Sequence, residues 1–170
     1  TAATAGSSSS IFQGDMVIPL TNGLVDVSAS DGGSVAILGV MNGCEYIDLN
    51  GKPRFDNHYP GTSAIKSGTE ATVHIYDNPH QVFEIQADAS LTNAATAQAL
   101  VHSNAEGTGF GSENGSTGKS IGELSVASAG ATTATDNFRI IGIKDDFEDI
   151  DVTSAGVIFL VKLNLPFHTA

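Results

Sequence analysis

Ala71-Thr72-Val73-His74-Ile75-Tyr76, then Asp77-Asn78-Pro79-His80, then Gln81-Val82-Phe83-Glu84-Ile85-Gln86-Ala87 is the stretch that decides the fold class. Ala71, Val73 and Ile75 alternate with Thr72, His74 and Tyr76. Beyond the break, Phe83, Ile85 and Ala87 alternate with Val82, Glu84 and Gln86. A period of two sends one set to a buried face and the other toward solvent, which is strand geometry. Pro79 fixes its own φ and pushes Asn78 toward extended backbone, so residues 77–80 predict a turn and the whole stretch predicts a β-hairpin.

The same grammar continues on both sides. Met16, Val17, Ile18 and Leu20 supply strand-compatible bulk, with Pro19 suggesting an edge. Asn22-Gly23 separates them from Leu24-Val25-Asp26-Val27, and both turn residues tolerate positive φ, which predicts a second hairpin. Asp31-Gly32-Gly33 marks another turn before a short apolar strand from Val35 to Met41. Residues 48–53 read as a turn and residues 55–61 as a surface loop rich in aromatics. Further strands are expected at Ile121–Ala127, Asn137–Ile143 and Val157–Leu165. Asp88–Ala99 is Ala-rich and predicts one short helix, with Ser90 or Thr92 as cap. Ser103–Lys119, a Gly/Ser/Asn stretch with Phe110 inside it, predicts a long exposed loop. The expected class is all-β: a single-domain β-barrel or β-sandwich with long loops and at most one short helix. Residues 1–10, low in complexity, predict a flexible N-terminal arm ahead of a single β domain over 11–170.

Composition narrows the partners. A chain of 170 residues can bury a core without staples. Its 19 acidic against 7 basic residues give a net charge of −12, so its field repels phosphate backbones and anionic lipid. Direct nucleic-acid binding and a membrane partner are therefore not expected, and no window approaches the roughly 20 apolar residues of a spanning helix. Cys44, the single cysteine, allows no intrachain disulfide and reads as a small buried hydrophobe.

Residues with the means for chemistry do not assemble into a known catalytic pattern. Gly115-Ser116-Thr117-Gly118-Lys119-Ser120 ends like a phosphate loop, but Glu113 stands where that loop needs its first glycine, and no apolar strand precedes it. The run Lys144-Asp145-Asp146-Phe147-Glu148-Asp149-Ile150-Asp151 could gather carboxylates on calcium, yet lacks the ligand spacing of a helix-loop-helix site; an exposed acidic turn is the simpler reading. His58, His74, His80, His102 and His168 lack metal-ligand spacing, although His74 and His80 would face each other across the proposed hairpin. No serine lies in a Gly-x-Ser-x-Gly elbow, and Cys44 has no basic neighbour to lower its pKa. The expectation is no enzyme, no cofactor and no metal. Phe55, His58 and Tyr59, with Phe110, are the candidate protein-contact residues, because aromatics on a constrained loop bury much area at low entropic cost; the alternative for the first three is that they cover one end of the barrel. An alternative function is a carbohydrate-binding or adhesin-like β-sandwich, secreted or attached to a virion, with Tyr46, Phe55, Tyr59 or Tyr76 as stacking platforms; the lack of Trp counts against it.

Several segments resemble a known family. Gly14-Asp15, Leu38-Gly39-Val40, Cys44-Glu45-Tyr46-Ile47-Asp48, Gly51-Lys52-Pro53, Asn57-His58-Tyr59-Pro60-Gly61 and the stretch from Val73 to Gln86, followed by Ser116–Ser120, Ala131–Ala134 and Phe138–Gly142, look like small proteins encoded among the structural genes of tailed bacteriophages. The resemblance covers nearly all of the chain after its first ten residues. It implies a capsid decoration or cement protein: many copies on the outer surface of an icosahedral head, a homo-oligomer (dimer or trimer) clamping neighbouring subunits of the major capsid protein. The family's motif carries no catalytic residues. An acidic domain with segments able to order on a partner, over residues 1–11 or 103–119, suits that role.

Overall fold

The computed structural model describes residues 2–6, 8–28, 36–113, 117–130, 134–144 and 156–164. The Asp31-Gly32-Gly33 turn, Asn114–Ser116, Ala131–Thr133, the acidic residues 145–151 and His168 lie outside the described residues. Strands dominate, as the two-residue periodicity requires, and among the described residues the α-helix is confined to one six-residue segment. Length alone implies one domain; within it, contacts gather into two compact units.

The first unit holds β1 (Ala2–Ala5), β2 (Ile11–Phe12), β3 (Met16–Pro19), β4 (Val25–Val27), β5 (Gly39–Ile47), β6 (Pro53–Asp56), β7 (His58–Tyr59) and β8 (Ala71–Tyr76). Five of these close a barrel: β3 pairs with β4, β4 with β1, β1 with β8, β8 with β5, and β5 returns to β3. Closure removes the free edges that an open sheet leaves exposed. The nine-residue β5 makes this possible, pairing with β3 at its start, with β8 along its middle and with β6 at its end.

Inside the barrel lie Ala5, Val17, Val25, Val27, Met41, Cys44, Ala71, Val73 and Ile75. The inward set of β8 is the one that alternation assigned. In β5 the inward residues are spaced by three, from Met41 to Cys44, because the register against β8 slips between Met41 and Gly43. The extra residue of this bulge, Asn42, is thrown outward.

The expected hairpin over 71–87 does not form. β8 is strand as expected, but both its edges are taken, by β1 and β5, and its sequence successor pairs elsewhere. His74 and His80 accordingly do not face each other across a ladder. The Asn22-Gly23 hairpin does form, with Pro19 opposite Val25 and Val17 opposite Val27. Its loop is Thr21-Asn22-Gly23, closed by Leu20 N–H to Leu24 O at 2.8 Å and Gly23 N–H to Leu20 O at 3.0 Å. Only Gly23 takes positive φ, at 82°, so the three-residue loop with a glycine at its left-handed position replaces the two-residue primed turn.

Ala2–Ala5, placed by the sequence reading in a flexible arm, is a barrel strand. Small side chains let it lie between β4 and β8, with Ala3 opposite Val73 and Ala5 opposite Ala71. The segment read as a surface loop over 55–61 carries parts of β6 and β7, the latter paired to β2.

The second unit holds β9 (Phe83–Gln86), α1 (Ala94–Ala99), β10 (Asn104–Ala105), β11 (Gly107–Thr108), β12 (Glu123–Leu124), β13 (Phe138–Ile143) and β14 (Ile158–Leu163). A four-stranded sheet runs β10-β13-β14-β9, and β11 pairs with β12. Phe138, Ile140, Phe159, Val161, Leu163 and Ile85 fill its buried face. The helix cap is Asn93, whose side chain accepts the Thr96 N–H at 2.9 Å, and not Ser90 or Thr92. Two buried polar residues precede β13. Asn137 accepts the Gly107 N–H on its side-chain oxygen at 3.2 Å, while one carboxylate oxygen of Asp136 has no partner among the described residues.

Candidate functional site

The four candidate contact residues have different fates. Phe55 is 80% exposed on β6, the outermost strand in the order of the barrel sheet. Tyr59 is completely buried and belongs to the barrel's core cluster. His58, its neighbour on β7, is half-buried and stacks on Phe12, with ring centroids 5.9 Å apart and planes inclined by 14°. The Asp56 carboxylate lies 3.4 Å from His58 Nδ1. Phe110 is 9% exposed. Tyr59 and Phe110 are therefore core residues and offer no anchor: the two-residue ladder Ile11–Tyr59 and Phe12–His58 turns Tyr59 inward, and the Phe110 ring packs against Gly122. A ladder so short leaves almost no periodicity to read.

A buried carboxylate organises the region behind them. Asp15, which reads in sequence as turn punctuation, is fully buried. Its Oδ2 accepts the Phe12 N–H at 2.8 Å and its Oδ1 accepts the Gly111 N–H at 3.0 Å. The Ser120 hydroxyl bonds to it as well, and burial raises its carboxyl above the usual range despite these three donors. Through Asp15 the segment 109–122 is strapped to the start of the barrel. Gln13 adds two bonds, donating to Gly118 O at 3.2 Å and accepting from Ser120 N–H at 2.9 Å, and Asn57 Nδ2 donates to Thr117 O. The sequence reading made 103–119 one exposed loop. It instead carries β10 and β11 and then this strap.

The outer face of the barrel beside Phe55 carries a depression. Register places Thr72, Glu45 and Phe55 in one row across β8, β5 and β6, and places His74 opposite Gly43 in the next. Gly43 leaves a gap between His74 and Asn57. A Cβ there would sit 3.1 Å from the Asp56 carbonyl oxygen, so no larger residue fits without movement. The result is a shallow depression of about 510 Å³ lined by Asn42, Gly43, Cys44, Phe55, Asp56, Asn57 and His74. His74 is exposed, Asn42 is turned out by the bulge, and Phe55 stands on the rim.

Cys44 lies at the inner side of this depression but is buried, its thiol donating to His58 O at 3.0 Å. Burial, reinforced by the Asp56 charge, pushes the thiol up to about 12. At pH 8 so little thiolate is present that an aromatic disulfide reagent should label the native protein about a thousandfold more slowly than the denatured chain. Comparable initial rates in buffer and in denaturant would contradict this burial.

Of the four residues named as stacking platforms, Phe55 and Tyr76 are exposed, whereas Tyr46 is half-buried against the core and Tyr59 is inside it. Among the described residues no three His, Cys, Asp or Glu side chains converge as metal ligands, and no helix is long and apolar enough to cross a membrane. No family model, curated protein or solved structure matches the chain.

Proposed function

We propose that this chain is a virion structural protein, a capsid decoration or cement protein that sits on the outer surface of a bacteriophage icosahedral head and bridges subunits of the major capsid protein. The observation that carries the proposal is Phe55: a large aromatic, 80% exposed, on the edge strand β6 that pairs with the barrel's β5, and beside a ready-made depression. An exposed aromatic held by a β ladder loses little entropy on burial and is the kind of residue that dominates binding energy at protein interfaces. The net charge of −12 keeps such a protein off packaged nucleic acid. Repetition on the capsid lattice, as a dimer or trimer, would compensate for a small contact per copy. The family resemblance of the motifs points the same way.

The test is co-sedimentation of the purified protein with undecorated heads of the phage that encodes it. Wild type should bind to saturation at a lattice stoichiometry, and Phe55→Asp should bind at least tenfold more weakly while keeping its circular dichroism spectrum. Equal binding of the two proteins would remove Phe55 from the interface, and no binding of either would remove the proposal.

A second reading has one observation in its favour. The depression brings the amides of Asn42 and Asn57 and the His74 imidazole beside the exposed Phe55 ring, groups able to hydrogen-bond to and stack on a sugar. Saturating methyl glycosides that compete with heads for the wild-type protein would favour this reading over protein contact.

A further inference from the structure

The sheet of the second unit carries a charge arrangement that folding alone does not favour. Arg139 on β13 lies directly opposite Lys162 on β14. Cross-strand neighbours have Cβ atoms about 5 Å apart, and like charges so placed destabilise a sheet. The chain has 7 basic residues against 19 acidic ones, so an acid opposite either cation would be the ordinary arrangement. Among the described residues neither cation has one opposite it. Glu84, which register places on the same outward face opposite Leu160, is committed to Lys144 at 2.6 Å. The residue flanking Arg139 on its other side is the neutral Asn104. Arg139 is exposed and Lys162 half-buried, with the half-buried Leu160 and Ile158 beside them on the same face and the exposed Val82 just before β9.

We infer that this outward face of β13 and β14 is a docking surface for an acidic segment of a partner protein, whose carboxylates are received between Arg139 and Lys162 while its apolar side chains cover Leu160 and Ile158. The inference goes beyond the proposal above and uses none of its residues. Charge complementarity carries it. A carboxylate placed between the two cations turns a repulsion into two charge-assisted hydrogen bonds, and the planar guanidinium can hold it by two parallel N–H groups. The apolar rim selects a polypeptide over a free anion, since inorganic phosphate offers nothing to cover it. The negative field of the whole molecule softens the repulsion between Arg139 and Lys162, but it would stabilise a solitary cation equally well and does not explain why two are paired.

The test uses the isotopically labelled full chain with three probes: acetylated hexaglutamate amide, the matching hexaglutamine, and inorganic phosphate, each followed through the amide resonances of β13 and β14. Hexaglutamate should shift Arg139, Leu160 and Lys162 and bind at least tenfold more tightly than the other two. Lys162→Glu creates an opposite-charge pair with Arg139, so it should weaken hexaglutamate binding at least tenfold and raise the free protein's Tm by about 2 °C. Phosphate binding as tightly as the peptide would overturn the inference in favour of a free-anion site. A Lys162→Glu protein with unchanged Tm and unchanged peptide binding would overturn it altogether.

Discussion

Tyr59→Ala should destabilise the protein by about 4 kcal/mol, the usual cost of deleting a fully buried aromatic ring, whereas Phe55→Ala should change stability by no more than about 0.5 kcal/mol. The two residues are four apart in a segment that looks uniform in sequence, but one is completely buried and the other 80% exposed. Tyr59 stands opposite Ile11 in the ladder that seals this side of the barrel, and removing its ring leaves a cavity that the short β2 and β7 cannot collapse around. Thermal unfolding checks the pair: Tyr59→Ala should lower Tm by roughly 10 °C and Phe55→Ala should leave it nearly unchanged. Equal, small effects would mean that Tyr59 is not in the core.

Asp15→Ala should cost about 3 kcal/mol, because it orphans the buried Phe12 N–H and the part-buried Gly111 N–H together. The loss should be local first. Protease cleavage and amide exchange should rise within 109–122 before they rise in β5 or β8, since Asp15 ties that segment to the barrel. The ionisation of Asp15 adds a pH signature. Its carboxyl is raised in the folded state by burial, so the folded protein holds this proton more tightly than the unfolded chain does. The stability from that difference is fully present below the ordinary carboxylate pKa and is lost as pH rises through the folded value. The stability advantage of wild type over Asp15→Asn should therefore be larger at pH 4 than at pH 8. Asp48 acts in the opposite sense. Its carboxylate is held below the usual range by the Lys52 N–H, the Arg54 side chain and the Asn50 N–H, so its contribution is present above the ordinary carboxylate pKa and fades as pH falls through the lowered one.

Elements with several turns of alternation were legible from sequence, and partners were not. β8, β13 and β14 each show enough period-two pattern to be recognised, and Asn22-Gly23 fixes its hairpin through local backbone preference. What alternation cannot encode is which strand lies alongside. β8 closes the barrel with β1, some seventy residues earlier, and nothing local to Tyr76–Phe83 says that the chain leaves one unit for the other. Ala2–Ala5 was missed for a related reason: small residues carry little hydrophobic signal, yet a barrel wall needs small side chains where strands crowd. Gly14-Asp15 has the usual composition of an exposed turn, and only the distant Gly111 and Ser120 reveal the Asp15 carboxylate as a buried clamp. Around the candidate site, the aromatic segment allows both an exposed anchor and a cover for the barrel end, and Phe55 takes the first role while Tyr59 takes the second. The depression itself arises from the bulge at Asn42 and the glycine after it, features of register with no mark in composition.

The proposed capsid role is tested most directly by an electron cryomicroscopy map of intact particles of the phage that encodes this chain. Density for the barrel is expected to repeat on the outer surface of the head, with the β5–β6–β8 face turned toward the major capsid protein and the Phe55 ring buried against it. Density for the chain inside the shell against the genome, or outside it with Phe55 directed into solvent, would contradict the account.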